Sequence, residues 1–126
     1  MPHLTFEYTV GHQPKIAFDE LFARMHTVLA EVGRIEIGNC KSRATELKQF
    51  YIGDGAGESG FVHLEVRFLE GRSAGKKREI GLSLLELVRG CYAADVEASN
   101  VQITVEVRDI ERAMYFKVPE LGGDDR

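Results

Sequence analysis

The sequence predicts an α/β fold: two βαβ repeats that form a four-stranded sheet with both helices on one face. Three observations carry that expectation. Apolar and polar residues alternate in several short segments, the period of a strand with one buried face. Two longer segments space their apolar residues three and four apart, the period of an amphipathic helix. The order strand, helix, strand then occurs twice, at an offset of about 60 residues.

The first element opens the chain. Leu4, Phe6, Tyr8 and Val10 alternate with His3, Thr5, Glu7 and Thr9. The run Gly11-His12-Gln13-Pro14 breaks the strand. Phe18, Leu21, Phe22, Met25, Val28, Leu29 and Val32 then fall on one helical stripe, and Gly33 suits the helix C-terminus. A second strand is expected over Lys41 to Ile52, with weaker alternation, followed by a loop at Gly53-Asp54-Gly55-Ala56-Gly57.

The pattern restarts at Val62, Leu64, Val66 and Phe68, which alternate with His63, Glu65 and Arg67. Gly71-Arg72-Ser73 makes a turn, and Ser73 is placed to cap the next helix. Ile80, Leu84, Leu85, Val88, Cys91 and Tyr92 lie on one side of that helix. Val101, Ile103, Val105 and Val107 form the fourth strand, Tyr115 to Val118 a short edge strand, and Gly122 to Arg126 a frayed tail. His3-Leu4 matches His63-Leu64 across the repeat, and Phe22, Met25, Val28 and Val32 match Leu82, Leu85, Val88 and Tyr92. The expected organisation is a single domain over 1–126 with pseudo-repeats at about 1–58 and 59–118. In each βαβ unit the strands run parallel. The helix-free sheet face then needs a cover that a chain of 126 residues has no third layer to supply, so oligomerisation is expected.

Bulk composition narrows the function. Apolar residues are 44% and charged residues 29%, a globular mix. The formal net charge of -4 argues against a nucleic-acid partner, which would select a basic surplus. No apolar run approaches the roughly 20 residues that span a bilayer, so no membrane association is expected. The N-terminus lacks a signal-peptide pattern. Cys40 and Cys91 have no CxxC spacing and read as reduced thiols of a cytoplasmic protein. The four histidines show no HxH or HxxxH spacing, so neither a metal nor any other cofactor is expected.

The residues that could carry chemistry are few. Pro2 follows Met1, and removal of Met1 would leave a secondary amine at the start of a strand. Such an amine is a general base while neutral, which burial and nearby cations favour. The competing reading is a Met-Pro start without catalytic meaning. Arg72, before a helix N-terminus, would make an anion site with the first-turn amides; the alternative is a solvated basic turn. The segment Gly71 to Lys77 fails the phosphate-loop pattern, because three residues separate its glycines and Lys77 stands where Ser or Thr belongs. Lys41 and Arg43, two apart on a strand, share a face and suit a dicarboxylate substrate. The alternative is exposed charges paired with Glu46 or Glu65.

The opening Pro2-His3-Leu4-Thr5-Phe6-Glu7-Tyr8 resembles the start of the 5-carboxymethyl-2-hydroxymuconate delta-isomerase family of the tautomerase superfamily. So do Leu21-Phe22-Ala23-Arg24, Phe61-Val62-His63-Leu64, Gly71-Arg72-Ser73 before a Leu-rich helix, and Tyr115-Phe116-Lys117. The likeness runs in register over nearly the whole chain. It implies a homotrimer of double-βαβ subunits with an amino-terminal proline as catalytic base. It also implies proton transfer in a 2-hydroxymuconate-like acid, in aromatic-compound breakdown. Arg72 with Lys41 or Arg43 would bind the carboxylates. Where the family commonly has arginine, Lys41 offers a point charge without the bidentate fork. Other Pro-dependent tautomerase or decarboxylase chemistry on the same fold stays open, as does a non-enzymatic trimeric scaffold should Met1 be retained.

Overall fold

The computed structural model describes residues 1–57, 59–98 and 100–119. Strand β1 spans His3–Thr9, helix α1 Phe18–Glu31 and strand β2 Lys41–Leu47. The second unit consists of β3 (Gly60–Leu69), α2 (Ala74–Gly90) and β4 (Val101–Ile110), with a short helix α3 at Ala93–Glu97 before the last strand. The sheet order is β2-β1-β3-β4. Each unit pairs its own strands in parallel, and β1 meets β3 antiparallel at the centre.

Alternation decides which face is buried. Leu4, Phe6 and Tyr8 of β1 and Val62, Leu64, Val66 and Phe68 of β3 form the floor of the core. Leu21, Met25 and Leu29 of α1 and Ile80, Leu84 and Val88 of α2 cover it. Each such side chain contributes roughly 1.5–3 kcal/mol by leaving water, so this layer dominates local propensity. His3, Thr5, Glu7, His63, Glu65 and Arg67 occupy the opposite face. No helix among the described residues is long and apolar enough to cross a membrane.

The repeat holds in the strands at an offset of 60 and slips in the helices. Leu4, Phe6 and Tyr8 correspond to Leu64, Val66 and Phe68. The buried stripe Leu21, Met25, Leu29 matches Ile80, Leu84, Val88, an offset of 59. Leu82, expected to match Phe22, is 52% exposed. The turn into α2 is shorter, so the second helix starts earlier relative to its strand.

Two expected strands are corrected. The second strand ends at Leu47, not Ile52. Its last bond runs from Val10 N–H to Leu47 O at 3.0 Å, and β1 then turns away at Gly11, leaving nothing to pair with. Tyr115 to Val118 forms no strand. The chain makes a tight 3₁₀ turn at Arg112–Met114 instead, and Phe116 and Val118 are 84% and 97% exposed. Ser73 caps α2 as expected, its hydroxyl accepting the Lys76 N–H at 3.1 Å. The expected tail at Gly122 to Arg126 lies outside the described residues.

Candidate active site

Pro2 is buried at the head of β1, and its carbonyl accepts the Lys41 N–H at 3.1 Å. Antiparallel pairing sets the start of β1 beside the end of β3. The chain leaves β3 through Gly71, whose φ of 129° suits a residue without a Cβ, and enters the turn that carries Arg72. The guanidinium of Arg72 lies over the Phe68 ring, 5.0 Å from its centroid, and its Nε–H donates to Gly33 O at 3.3 Å. Lys76 Nζ donates to Val32 O at 3.0 Å. The two cations thus satisfy carbonyls just beyond α1, where the helix dipole favours positive charge.

Pro2 and Arg72 line one cleft of about 100 Å³, together with Phe68, Leu69 and the buried Met1. Sequence reasoning did not find two further arginines there, Arg34 and Arg112. Both come from segments remote in sequence, so no local spacing marks them. Arg34 sits at φ 56°, the single positive φ outside glycine among the described residues. A left-handed non-glycine residue costs roughly 1–2 kcal/mol. With Arg72, three guanidiniums border the cleft against one carboxylate, Glu36, which sets its sign as cationic. Burial first, and then Arg112, lowers the Arg72 pKa. A guanidinium so shifted is still a cation near neutral pH.

Lys41 and Arg43 share the helix-free face, as β1–β2 register requires. Lys41 is exposed, and its Nζ donates at 3.3 Å to the carbonyl of Asn39, a lining residue of the cleft. Arg43 is not among the lining residues. Its Nη2 donates to His3 Nδ1 at 2.6 Å. A guanidinium has no acceptor, so Nδ1 is unprotonated and the neutral ring donates from Nε2 to Tyr115 Oη at 2.9 Å. Glu65 pairs with Arg67 and Arg108 rather than with Lys41 or Arg43. Burial, followed by Arg43, Arg67 and Lys41, lowers the His3 pKa.

A larger depression of about 420 Å³ lies on the helix-free face, between Glu7, Tyr51, Phe61 and His63. Neither Pro2 nor Arg72 lines it. Among the described residues, no group of three or more His, Cys, Asp or Glu side chains is arranged to hold a metal ion.

Known proteins share this chain's sequence pattern and fold. The chain is 25% identical over 117 residues to a 5-carboxymethyl-2-hydroxymuconate Delta-isomerase of Escherichia coli, covering 93% of each chain. It superposes on a 5-carboxymethyl-2-hydroxymuconate isomerase from Deinococcus radiodurans R1 with a TM-score of 0.82 and 29% identity, over 92% of this chain and 87% of the other. A fused 4-OT wild-type symmetric trimer shares the fold at a TM-score of 0.68 and 18% identity, over 94% of both chains. The 5-carboxymethyl-2-hydroxymuconate isomerase family matches residues 2–121. The chain therefore belongs to that family, and it is an isomerase built on the tautomerase fold.

Proposed function

We propose that this isomerase, once Met1 is removed, moves a proton within a 2-hydroxymuconate-type dienol dicarboxylate, without a cofactor and with Pro2 as general base. The specific form is the isomerisation its relatives are named for, that of 5-carboxymethyl-2-hydroxymuconate, with a proposed role in aromatic catabolism. The observation that carries this reading is the cationic cleft that Pro2 and Arg72 share.

While Met1 is attached, the Pro2 nitrogen is an amide whose lone pair is delocalised into a carbonyl, and it is no base near neutral pH. Met1 also lines the cleft, at 7% exposure. Removal of Met1 creates a secondary amine. The three arginines disfavour its ammonium form, which keeps a fraction of it neutral at working pH. The amine takes the dienol O–H or a C–H proton, a dienolate forms, and the same proton or its equivalent returns at another carbon. Atoms balance without a co-reactant. Arg72, with Lys41 beside Asn39, binds the substrate carboxylates, and their positive charge favours the dienolate that develops. Arg43, held against His3, faces the side of the sheet that a second subunit would cover.

That cover is part of the proposal. A homotrimer closes the helix-free face by repeated heterologous contacts, and the trimeric fold relative supports it. Sedimentation should give about three chains per particle. The enzyme is also proposed to be cytoplasmic, in keeping with two free thiols, Cys40 and Cys91.

The deciding experiment follows ketonisation by ultraviolet absorbance on samples whose N-terminus is known by mass. Processed protein should turn the dienol over, and the Met1-retaining form should lose nearly all of that rate. Processed Pro2→Ala keeps a primary amine and a residual rate, with an altered pH profile. Equal rates with and without Met1 would overturn the mechanism and favour a scaffold. Because Lys41 replaces a bidentate arginine with a point charge, other dienols and decarboxylation substrates belong in the same panel.

A further inference from the structure

We propose that Arg112 is a second carboxylate-binding residue of the cleft, paired with Arg72 to grip one carboxylate of a dicarboxylate substrate. The assignment rests on the function proposed above and adds a specificity-determining side chain that neither Pro2 nor the Gly71-Arg72-Ser73 turn identifies.

The backbone builds this pair deliberately. Glu70, the residue after β3, receives two ties. Its N–H donates to Ile110 O at 3.0 Å, and its carbonyl accepts the Arg112 Nε–H at 3.0 Å. The turn that carries Arg112 is thereby fixed to the turn that carries Arg72. With Nε committed to Glu70, the Nη groups are oriented over Gly71, where Nη2 lies 3.6 Å from the point a Cβ would occupy. Arg112 and Arg72 then border the same cleft as Pro2. The Arg112 guanidinium, on the same cleft, disfavours the charge of Arg72. A carboxylate bound against both relieves that repulsion, and a planar fork matches its geometry better than an ammonium does.

A carboxylate grip made away from the moving proton strengthens ground state and transition state alike, so its loss raises KM more than it lowers kcat. Processed Arg112→Gln should raise KM for 2-hydroxymuconate about 10- to 100-fold, the range for one charge-assisted contact, with kcat changed less than about threefold. Arg112→Lys, which keeps charge and loses the fork, should fall between. Direct binding of trans,trans-muconate, an unreactive dicarboxylate, is measured by calorimetry beside turnover. Its affinity should drop in step with KM, while the uncharged dimethyl ester binds wild type and variant equally.

A wild type that binds muconate but ketonises no dienol removes the proposed function and leaves the binding test to decide Arg112. Unchanged KM and muconate affinity in a folded Arg112→Gln would make Arg112 a strut for the last turn, as would an equal loss of diester and diacid binding. Should Arg112→Gln fail to fold, Arg112→Lys decides: muconate affinity equal to wild type overturns the assignment. A wild type that binds no muconate overturns it as well.

Discussion

The two ends of the central β1–β3 pair are equivalent by the internal repeat and opposite in chemistry. Both strands end on the same device. Val10 N–H bonds to Leu47 O and Glu70 N–H to Ile110 O, each at 3.0 Å, and Gly11 and Gly71 follow with positive φ. The next residue is His12 at one end and Arg72 at the other. His12 turns inward. Its Nδ1 meets the fully buried Thr9 hydroxyl at 2.9 Å, its carbonyl accepts the Tyr92 hydroxyl at 2.8 Å, and a side chain on Gly60 would collide with it. Burial of Tyr92 pushes its pKa up, so it serves there as a neutral donor. Arg72 turns toward a cleft. The counterparts of Phe61 and Val62, mid-chain at the sealed end, are Met1 and Pro2 at the open one. A shared backbone frame therefore makes a stabilising plug of Thr9, His12 and Tyr92 at one end, and a cationic cleft beside Pro2 at the other.

That contrast can be broken by exchange of losses. Arg72→Ala should lower kcat/KM on a dicarboxylate by one to two decades, equivalent to roughly 1.5–3 kcal/mol. It should cost less than about 1 kcal/mol of stability, because Lys76 still caps the end of α1. His12→Ala should do the reverse. It removes one partner of the buried Thr9 hydroxyl, which keeps the Phe61 N–H at 3.2 Å, for about 0.5–1.5 kcal/mol of stability, with kcat per folded molecule unchanged. Denaturant melts and initial rates on both variants suffice, and a proportional loss of activity and stability in each would erase the distinction between the ends.

A pH series sharpens the same contrast through His3, on the helix-free face, and His26, on α1 against Ser42. His3 and His26 have folded-state pKa values below 6.5, chiefly from burial. The unfolded chain binds more protons in the window below 6.5, so their contribution is complete above that value and declines as pH falls through it. Protonated His3 also loses the bond from Arg43. The melting temperature should drop on acidification from pH 7.5 to 5.5, and His3→Gln should flatten part of that slope. An unaltered slope would show that other groups set the acid response.

The smallest effect tests the helix starts. Ser73 caps α2, whereas Ala17 at the start of α1 has no side-chain cap. Ser73→Ala should cost about 1 kcal/mol, and Ala17→Gly close to nothing by loss of a cap; similar costs for both would mean that packing rather than capping sets the α2 terminus.

Much of this molecule was legible in the chain itself. Alternation along Leu4 to Tyr8 and Val62 to Phe68 determined both the strands and their buried face, because a period of two admits one assignment of sides. Stripes such as Leu21, Met25, Leu29 determined the helices, and the repeat determined the parallel pairing within each half. Ser73 announced its own cap, since the hydroxyl needs only the first turn of its helix. What depended on distant partners was not legible. The end of β2 at Leu47 follows from where β1 turns away, and the path of Tyr115 to Pro119 follows from the turn at Arg112 and the bond to His3. The arginines of the cleft converge for a similar reason. Arg34 arrives from the end of α1, Arg72 from the turn after β3 and Arg112 from beyond β4, and only packing of both repeats around the antiparallel β1–β3 pair sets them beside Pro2. Local periodicity records which side of an element meets the core; it carries no record of which remote ends meet each other.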